Sequence, residues 1–420
     1  MPAAYTSALA ETAAADLIER FSRYVQIETQ SKVDREQSPS TPGQLNLSRL
    51  LVTELELLGL ADAELDQHGY VYATLPANVD EAPTIGLIAH VDTSPQASGT
   101  GVRPLIHRDY DGGVITLPIG GVTLDPARMP ELAQKLGHDI VSASGDTLLG
   151  ADDKAGVAVI MAAVKHLAEN PELPRATLRI CFTPDEEIGE GATLFDIEKF
   201  GALCAYTVDG SELGELQDES FSAIEARITI TGVDVHPGQA TGKLVSALRV
   251  AAEAVAALPG DRLTPDTSSG REGFLHPVTF TGSAERAHIR VIARDFDEDL
   301  LQSHVELLRE TTERAVANHP GAVLDFELIR QYRNMRTYIE RVPEVVEAAA
   351  EAIRAEGIEP LRRPIRGGTD GSRLSERGLP TPNIFDGGHE YHSVREWASL
   401  QDMAAAAATL VRLAGIWSRR

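Results

Sequence analysis

Cysteine is nearly absent. Cys181 and Cys204 are the only two thiols in 420 residues. That scarcity excludes a disulfide framework, points to a reducing compartment and leaves His, Asp and Glu as the side chains able to build a metal site. Both cysteines sit inside apolar runs and read as small core residues. No stretch of about 18 apolar residues occurs, so no membrane span is expected. Residues 1–20 lack a basic stretch followed by an apolar run, so a secretory signal is not expected either, and the expected location is the cytoplasm. Basic residues are in deficit: 38 Lys and Arg face 63 Asp and Glu, a formal net charge of -25. A field of that sign repels phosphate backbones and anionic lipid, excluding nucleic acid and membrane surfaces as main partners. A glycine-rich P-loop signature is also missing, which disfavours a phosphate-dependent nucleotide enzyme.

What is present is ordinary globular composition, 43% hydrophobic and 24% charged, in a chain long enough for two domains. In the first half, helical and strand patterns alternate. Leu47 to Leu58 has helical apolar spacing with Gly59 as its stop, and Lys154 to Leu167 is an Ala- and Val-rich helix. Thr84 to Val91, Ala176 to Thr183 and Leu203 to Val208 read as strands. Strands separated by helices predict a mixed, mainly parallel α/β sheet covered on both faces. The pattern changes near residue 220. Strands at Ser222 to Val233, His276 to Thr281, Arg286 to Arg294 and Ala322 to Tyr332 enclose helices at Gly242 to Leu258 and Asp297 to Asn318. That order is βαββαβ, a ferredoxin-like unit, and it predicts an inserted domain over 221–333 between segments 1–220 and 334–420. The last segment, with a helix from Pro343 to Glu356 and another element from Leu400 to Trp417, completes the first sheet.

Chemistry-bearing residues gather after the predicted strands. His90-Val91-Asp92 ends the first, and period-two geometry puts His90 and Asp92 on one side. A neutral imidazole ligates metal well, and a carboxylate nearby can fix its tautomer. Asp152-Asp153 open a helix, where the dipole favours negative charge; either could cap it, or one could bridge two ions. Asp185-Glu186-Glu187 follow the next strand. Beside bound cations, one such carboxylate can ligate while its neighbour takes a proton from water. Asp209 follows a further strand, and His392 comes late, near Gly387 and Gly388. The side-chain types are the N and O ligands that zinc accepts. Asp152, Glu187 and Asp209 with a shared hydroxide would carry four negative charges, which two divalent ions balance.

The motifs IAHVDTSP at 88–95, LLGADDKAG at 148–156, FTPDEEIG at 182–189, YTVDG at 206–210, HPGQA at 236–240, RDFD at 294–297, RGGTDGS at 366–372 and PNIFDGG at 382–388 carry a resemblance. Over nearly its whole length the chain resembles the M20 metallopeptidase family, and within it the enzymes that remove the N-terminal residue of tripeptides. The resemblance implies two zinc ions per subunit. His90, Asp152 and Asp209 would hold one; Asp152, Glu187 and His392 the other, with Asp152 rather than Asp153 as the bridge. Asp92 would orient His90, Glu186 would be the general base, and His236 would stabilise the oxyanion. It implies a catalytic domain of 1–220 with 334–420, a lid and dimerisation role for 221–333, a short peptide substrate and a homodimer. His389 precedes His392 by three residues, but the family pattern sets the ligand directly after an aromatic residue, here Tyr391. A bidentate arginine suits a tripeptide's free carboxylate, and Arg294 and Arg366 are the candidates. Other M20 activities, namely dipeptidase, carboxypeptidase or N-acyl amino acid deacylase, share the metal ligands. A non-catalytic peptide-binding protein would lack a ligand or Glu186, and none is missing. The remaining histidines, such as His68, His107, His138, His166, His304 and His319, read as solvated.

Overall fold

The computed structural model describes residues 4–420. Its first compact unit comprises the chain up to Asp218 with Thr337–Arg363 and Thr369–Arg420. An eight-stranded sheet runs through it in the order Glu64–Leu65, Val71–Leu75, Thr177–Thr183, Thr84–His90, Cys204–Gly210, Asn383–Phe385, Glu215–Gln217, Leu361–Arg362. Thr84–His90 lies parallel to both neighbours, and Asn383–Phe385 parallel to Cys204–Gly210. Strands flanked on both faces have no polar side to alternate with, which is why TIGLIAH and CAYTVDG are buried almost throughout.

Three helices, Ala8–Val25, Ala151–Glu169 and Leu400–Trp417, pack against one another, and the second also covers Thr84–His90 and Cys204–Gly210. Small residues permit the close approach: Ala404–Ala408 lies in a helix buried nearly all round. The Ser399 hydroxyl caps that helix by accepting from the Asp402 N–H. Ala8–Val25 was not expected from the sequence. Its Ser7 hydroxyl accepts from the Ala10 N–H, and Leu17, Phe21 and Tyr24 form its buried stripe. A second, antiparallel sheet joins Gly388–His389, Trp397–Ser399, Ile140–Ser142 and Leu105–His107 in that order.

The second unit is Glu219–Arg336 with Pro364–Gly368. Its elements run Ser222–Thr231, Ala247–Ala256, Phe274–Gly282, Arg286–Asp295, Glu298–Ala317, Val323–Tyr332, a βαββαβ order with a four-stranded antiparallel sheet. Ile224, Ile228 and Ile230 meet Val250, Leu301, Val305 and Leu308 in its core. Asp297 caps its long helix by accepting from the Asp299 and Leu300 N–H groups.

Two sequence expectations need correcting. The Ile365 N–H donates to the Glu219 carbonyl and the Phe221 N–H to the Ile365 carbonyl. Those bonds draw residues 364–368, Arg366 included, out of the 334–420 segment and into the second unit. The histidines read as solvated are partly buried. His304 Nε2 lies 2.8 Å from Asp295 Oδ2, His138 Nδ1 2.7 Å from Ser399 Oγ, and His107 Nε2 2.8 Å from Ser142 Oγ. A polar partner lets an imidazole leave water, and linear spacing does not reveal that partner. Among the described residues no helix is long and apolar enough to cross a membrane.

Candidate metal centre

Every metal-ligand candidate lies in the first unit, at or just beyond a strand's carboxyl end or a helix start. His90 is the last residue of Thr84–His90, and its N–H donates to Asp153 Oδ2 at 3.0 Å. Its Nδ1 lies 3.0 Å from the Asp92 carbonyl oxygen and 3.3 Å from Asp92 Oδ1, which leaves Nε2 facing the centre. That Nε2 is 2.9 Å from Asp152 Oδ1 and 3.8 Å from Asp209 Oδ1. The other Asp152 oxygen lies 3.1 Å from His392 Nε2, which in turn lies 2.9 Å from Glu187 Oε2.

His90, Asp152 and Asp209 thus form one trio, and Asp152, Glu187 and His392 a second, each with its nearest ligand atoms within 4.8 Å of one another. Asp152 belongs to both. Among the described residues these are the groups of His, Cys, Asp or Glu with such spacing. One further oxygen, Glu187 Oε1, is buried without a hydrogen-bond partner. An orphaned carboxylate oxygen is costly unless a cation meets it. Nitrogen and carboxylate donors in this number fit divalent ions of the zinc class.

The charges agree. Burial pushes the Glu187 carboxyl up to about 7, and the Asp152 charge adds to the rise. Burial likewise holds Asp209 well above the usual carboxylate range, with Asp153 and Asp152 adding. For Glu186, burial raises the carboxyl, His90 opposes, and Asp370 and Glu187 raise it further. Burial works against a charged His392, yet its bonds to Asp152 and Glu187 push it up to about 10. His90 is raised in the same way by Asp152 and Asp92. Burial opposes ionisation of Asp152 too, but both imidazoles outweigh it and hold its carboxyl below the usual range. Buried carboxylates crowded around two imidazoles are a donor set that a divalent cation stabilises.

The Glu186–Glu187 turn is held from beneath. Asp92 accepts the Glu186 N–H at 2.9 Å and the Glu187 N–H at 3.2 Å on its two oxygens. Asp185 adopts a left-handed backbone conformation, φ 62°, that non-glycine residues rarely take. Its fully buried carboxylate compensates, accepting from the Ser40 N–H, the Ser40 hydroxyl and Gln44 Nε2. Glu186 Oε1 accepts the Asp370 N–H at 3.2 Å.

The remaining candidates divide. His389 is kept from the trios: it stacks on Trp397 at 4.1 Å, and burial drives its pKa down to about 3. His236, Arg294 and Arg366 belong to the second unit. His236 is exposed, and its Nδ1 accepts the Gly238 N–H at 3.1 Å. Arg294 lies over the Phe274 ring with its Nε buried and unbonded. Arg366 is spent: it donates to the carbonyls of Ser268, Gly270 and Glu272 and to the Ser268 hydroxyl. Sequence reasoning missed Asp185 as an anchor, and Glu396, whose carboxylate accepts backbone N–H groups at the start of the Asp152 helix.

Comparison with known proteins agrees with this geometry. The profile of Peptidase family M20/M25/M40 matches residues 148–415. Peptidase T of Geobacillus thermodenitrificans (strain NG80-2) is 46% identical over 407 residues, 96% of this chain and 99% of that protein. Peptidase T of Vibrio parahaemolyticus is 45% identical over 405 residues, again 96% and 99%. The crystal structure of aminopeptidase PepT from Bacillus cereus ATCC 10987 superposes with a TM-score of 0.74 at 25% identity, covering 96% of this chain and 98% of that one. With a profile match over more than half its residues and such likeness along almost its entire length, the chain belongs to peptidase family M20/M25/M40.

Proposed function

We propose that this chain, a metallo-aminopeptidase, releases the N-terminal residue of tripeptides with two zinc ions per subunit. The observation that carries the reading is the pair of trios sharing Asp152 with Glu186 beside them. His90, Asp152 and Asp209 would hold one ion, and Asp152, Glu187 and His392 the other. When bound, the ions supply Lewis acidity and lower the pKa of a shared water. Asp92 fixes the Nε2 face of His90 and supports the turn bearing Glu186. Glu186 removes the proton from the attacking water and returns it to the leaving amine. His236, with Nδ1 already accepting from Gly238, carries its proton on Nε2 and donates to the carbonyl oxygen as negative charge builds there. Arg294 is the better anchor for the substrate carboxylate, because Arg366 is committed to its own loop.

Metal content together with hydrolysis of di-, tri- and tetrapeptides, blocked and unblocked at each end, tests the reading. Two equivalents of zinc and preferred release of the first residue from free tripeptides are expected. Preference for dipeptides, acyl amino acids or C-terminal release would assign another M20 activity, and no turnover at full metal content would favour a peptide-binding protein. Free, buried Cys181 and Cys204 support a cytoplasmic location. The inserted unit is assigned the lid and a homodimer interface; sedimentation showing monomer alone would remove the dimer.

A further inference from the structure

Four residues beyond His392 stands a carboxylate that the proposed chemistry does not use. Glu396 is only 1% exposed. Its Oε2 accepts the N–H groups of Leu149 and Gly150, both at 2.7 Å, and its Oε1 accepts the N–H of Asp152 at 3.0 Å. These donors lie just ahead of the regular part of the helix Ala151–Glu169: Gly150 has no side chain and turns through φ 84°, Asp152 and Asp153 depart from helical φ/ψ, and Asp153 Oδ1 caps the turn that follows by accepting the Gly156 N–H. The acceptor for the three donors ahead of that turn comes from more than 240 residues away in sequence. Negative charge suits that place, since a helix start is positive.

The segment that carries Glu396 is held on both sides of it. The Glu396 N–H donates to the Ser393 carbonyl, closing a turn directly after His392. Trp397–Ser399, the next three residues, pairs with Ile140–Ser142. One turn thus links His392 to Glu396, and the Glu396 carboxylate accepts three hydrogen bonds from the backbone around Asp152.

We infer that Glu396 is a positioning residue of the metal centre, clamping the backbone of Leu149, Gly150 and Asp152 to the His392 segment so that Asp152 and His392 face one another before an ion arrives. The inference rests on the reading of the two trios as ion sites. Glutamine at 396 keeps the shape but turns an NH2 group towards backbone donors, so part of the clamp is lost while the side chain still fills its space.

The test compares wild type with Glu396→Gln, measuring zinc affinity by chelator competition and melting of the metal-free proteins. Affinity for the second equivalent of zinc is expected to fall about 10- to 100-fold, as when outer partners of metal ligands are removed, with metal-free melting close to wild type. Unchanged affinity for both equivalents would overturn the inference. So would a parallel loss of both in step with metal-free stability, which is what a merely structural carboxylate gives. If the variant does not fold, hydrogen exchange of the metal-free wild type decides: the amides of Leu149, Gly150 and Asp152 are expected to be protected without zinc, and rapid exchange there would refute a preformed clamp. A wild type that binds one equivalent would remove the two-ion reading, while protection of these amides would still report the clamp.

Discussion

Glu186 and Glu187 adjoin in sequence and share a carboxylate support in Asp92, yet their side chains take different partners. Glu187 Oε2 faces His392, whereas Glu186 Oε1 accepts the Asp370 N–H. Separate partners allow separate duties, one holding an ion and the other moving a proton. Glu186→Gln is expected to lower kcat about 10²–10⁴-fold, the span of general acid–base catalysis. Bound zinc, read by elemental analysis, should remain at the wild-type level. Turnover near wild type with normal metal would sink the assignment. The clustered type of these residues was legible in sequence, because strand-end His and acid runs announce themselves. Asp185 was not, since its value lies in the Ser40 and Gln44 contacts, made across some 140 residues. Glu396 was hidden for the same reason, as an acid before a Trp looks like an ordinary surface residue.

At the scale of elements, the helix Ala151–Glu169 sits so closely on Cys204–Gly210 that Gly156 has no room for a methyl group. A Cβ there would come 1.9 Å from the Val208 carbonyl oxygen and 2.2 Å from Asp153 Oδ1. Gly→Ala inside a helix ordinarily stabilises by about 1 kcal/mol. Here the sign reverses: Gly156→Ala is expected to destabilise by about 1–3 kcal/mol, the range for overpacking, as read by denaturant unfolding. In the second unit, Glu219 meets Arg271 and Arg336, and Glu225 meets Arg290 and Arg227. Burial opposes ionisation of Glu219, but Arg271 outweighs it, and the bond to Arg290 lowers Glu225 despite burial, so both lie below the ordinary 4.5. Stability from these pairs is whole above that value and is lost as pH falls through the lower folded values. Thermal melts should show Glu219→Gln less stable than wild type at pH 7, with the gap closing at strongly acid pH. A constant gap would contradict the linkage. Long strands such as Thr84–His90 could be read from their apolar run. The sheet containing Ile140–Ser142 and Trp397–Ser399 could not, because three residues hold too little of a repeat to show one.

The whole molecule carries a net charge of -25, and that field reaches substrates before any contact does. At about 0.01 M salt the Debye length is about 30 Å, and at 0.15 M about 8 Å. Raising ionic strength across that range should increase kcat/KM for a tripeptide with acidic side chains more than for a neutral one. Equal responses would show that bound cations cancel the field where substrates enter. The first unit is also assembled from pieces: His90, Asp152, Glu187 and Asp209 precede the second unit in the chain, and His392 follows it. A ribosome works in that same direction, and domains fold as they emerge. Four of the five proposed ligands are therefore synthesised while the fifth has still to be made. A nascent or truncated chain that ends before His392 lacks the second trio and also the helix Leu400–Trp417 that packs on Ala8–Val25 and Ala151–Glu169, so the peptidase is expected to stay silent until its own synthesis is nearly done.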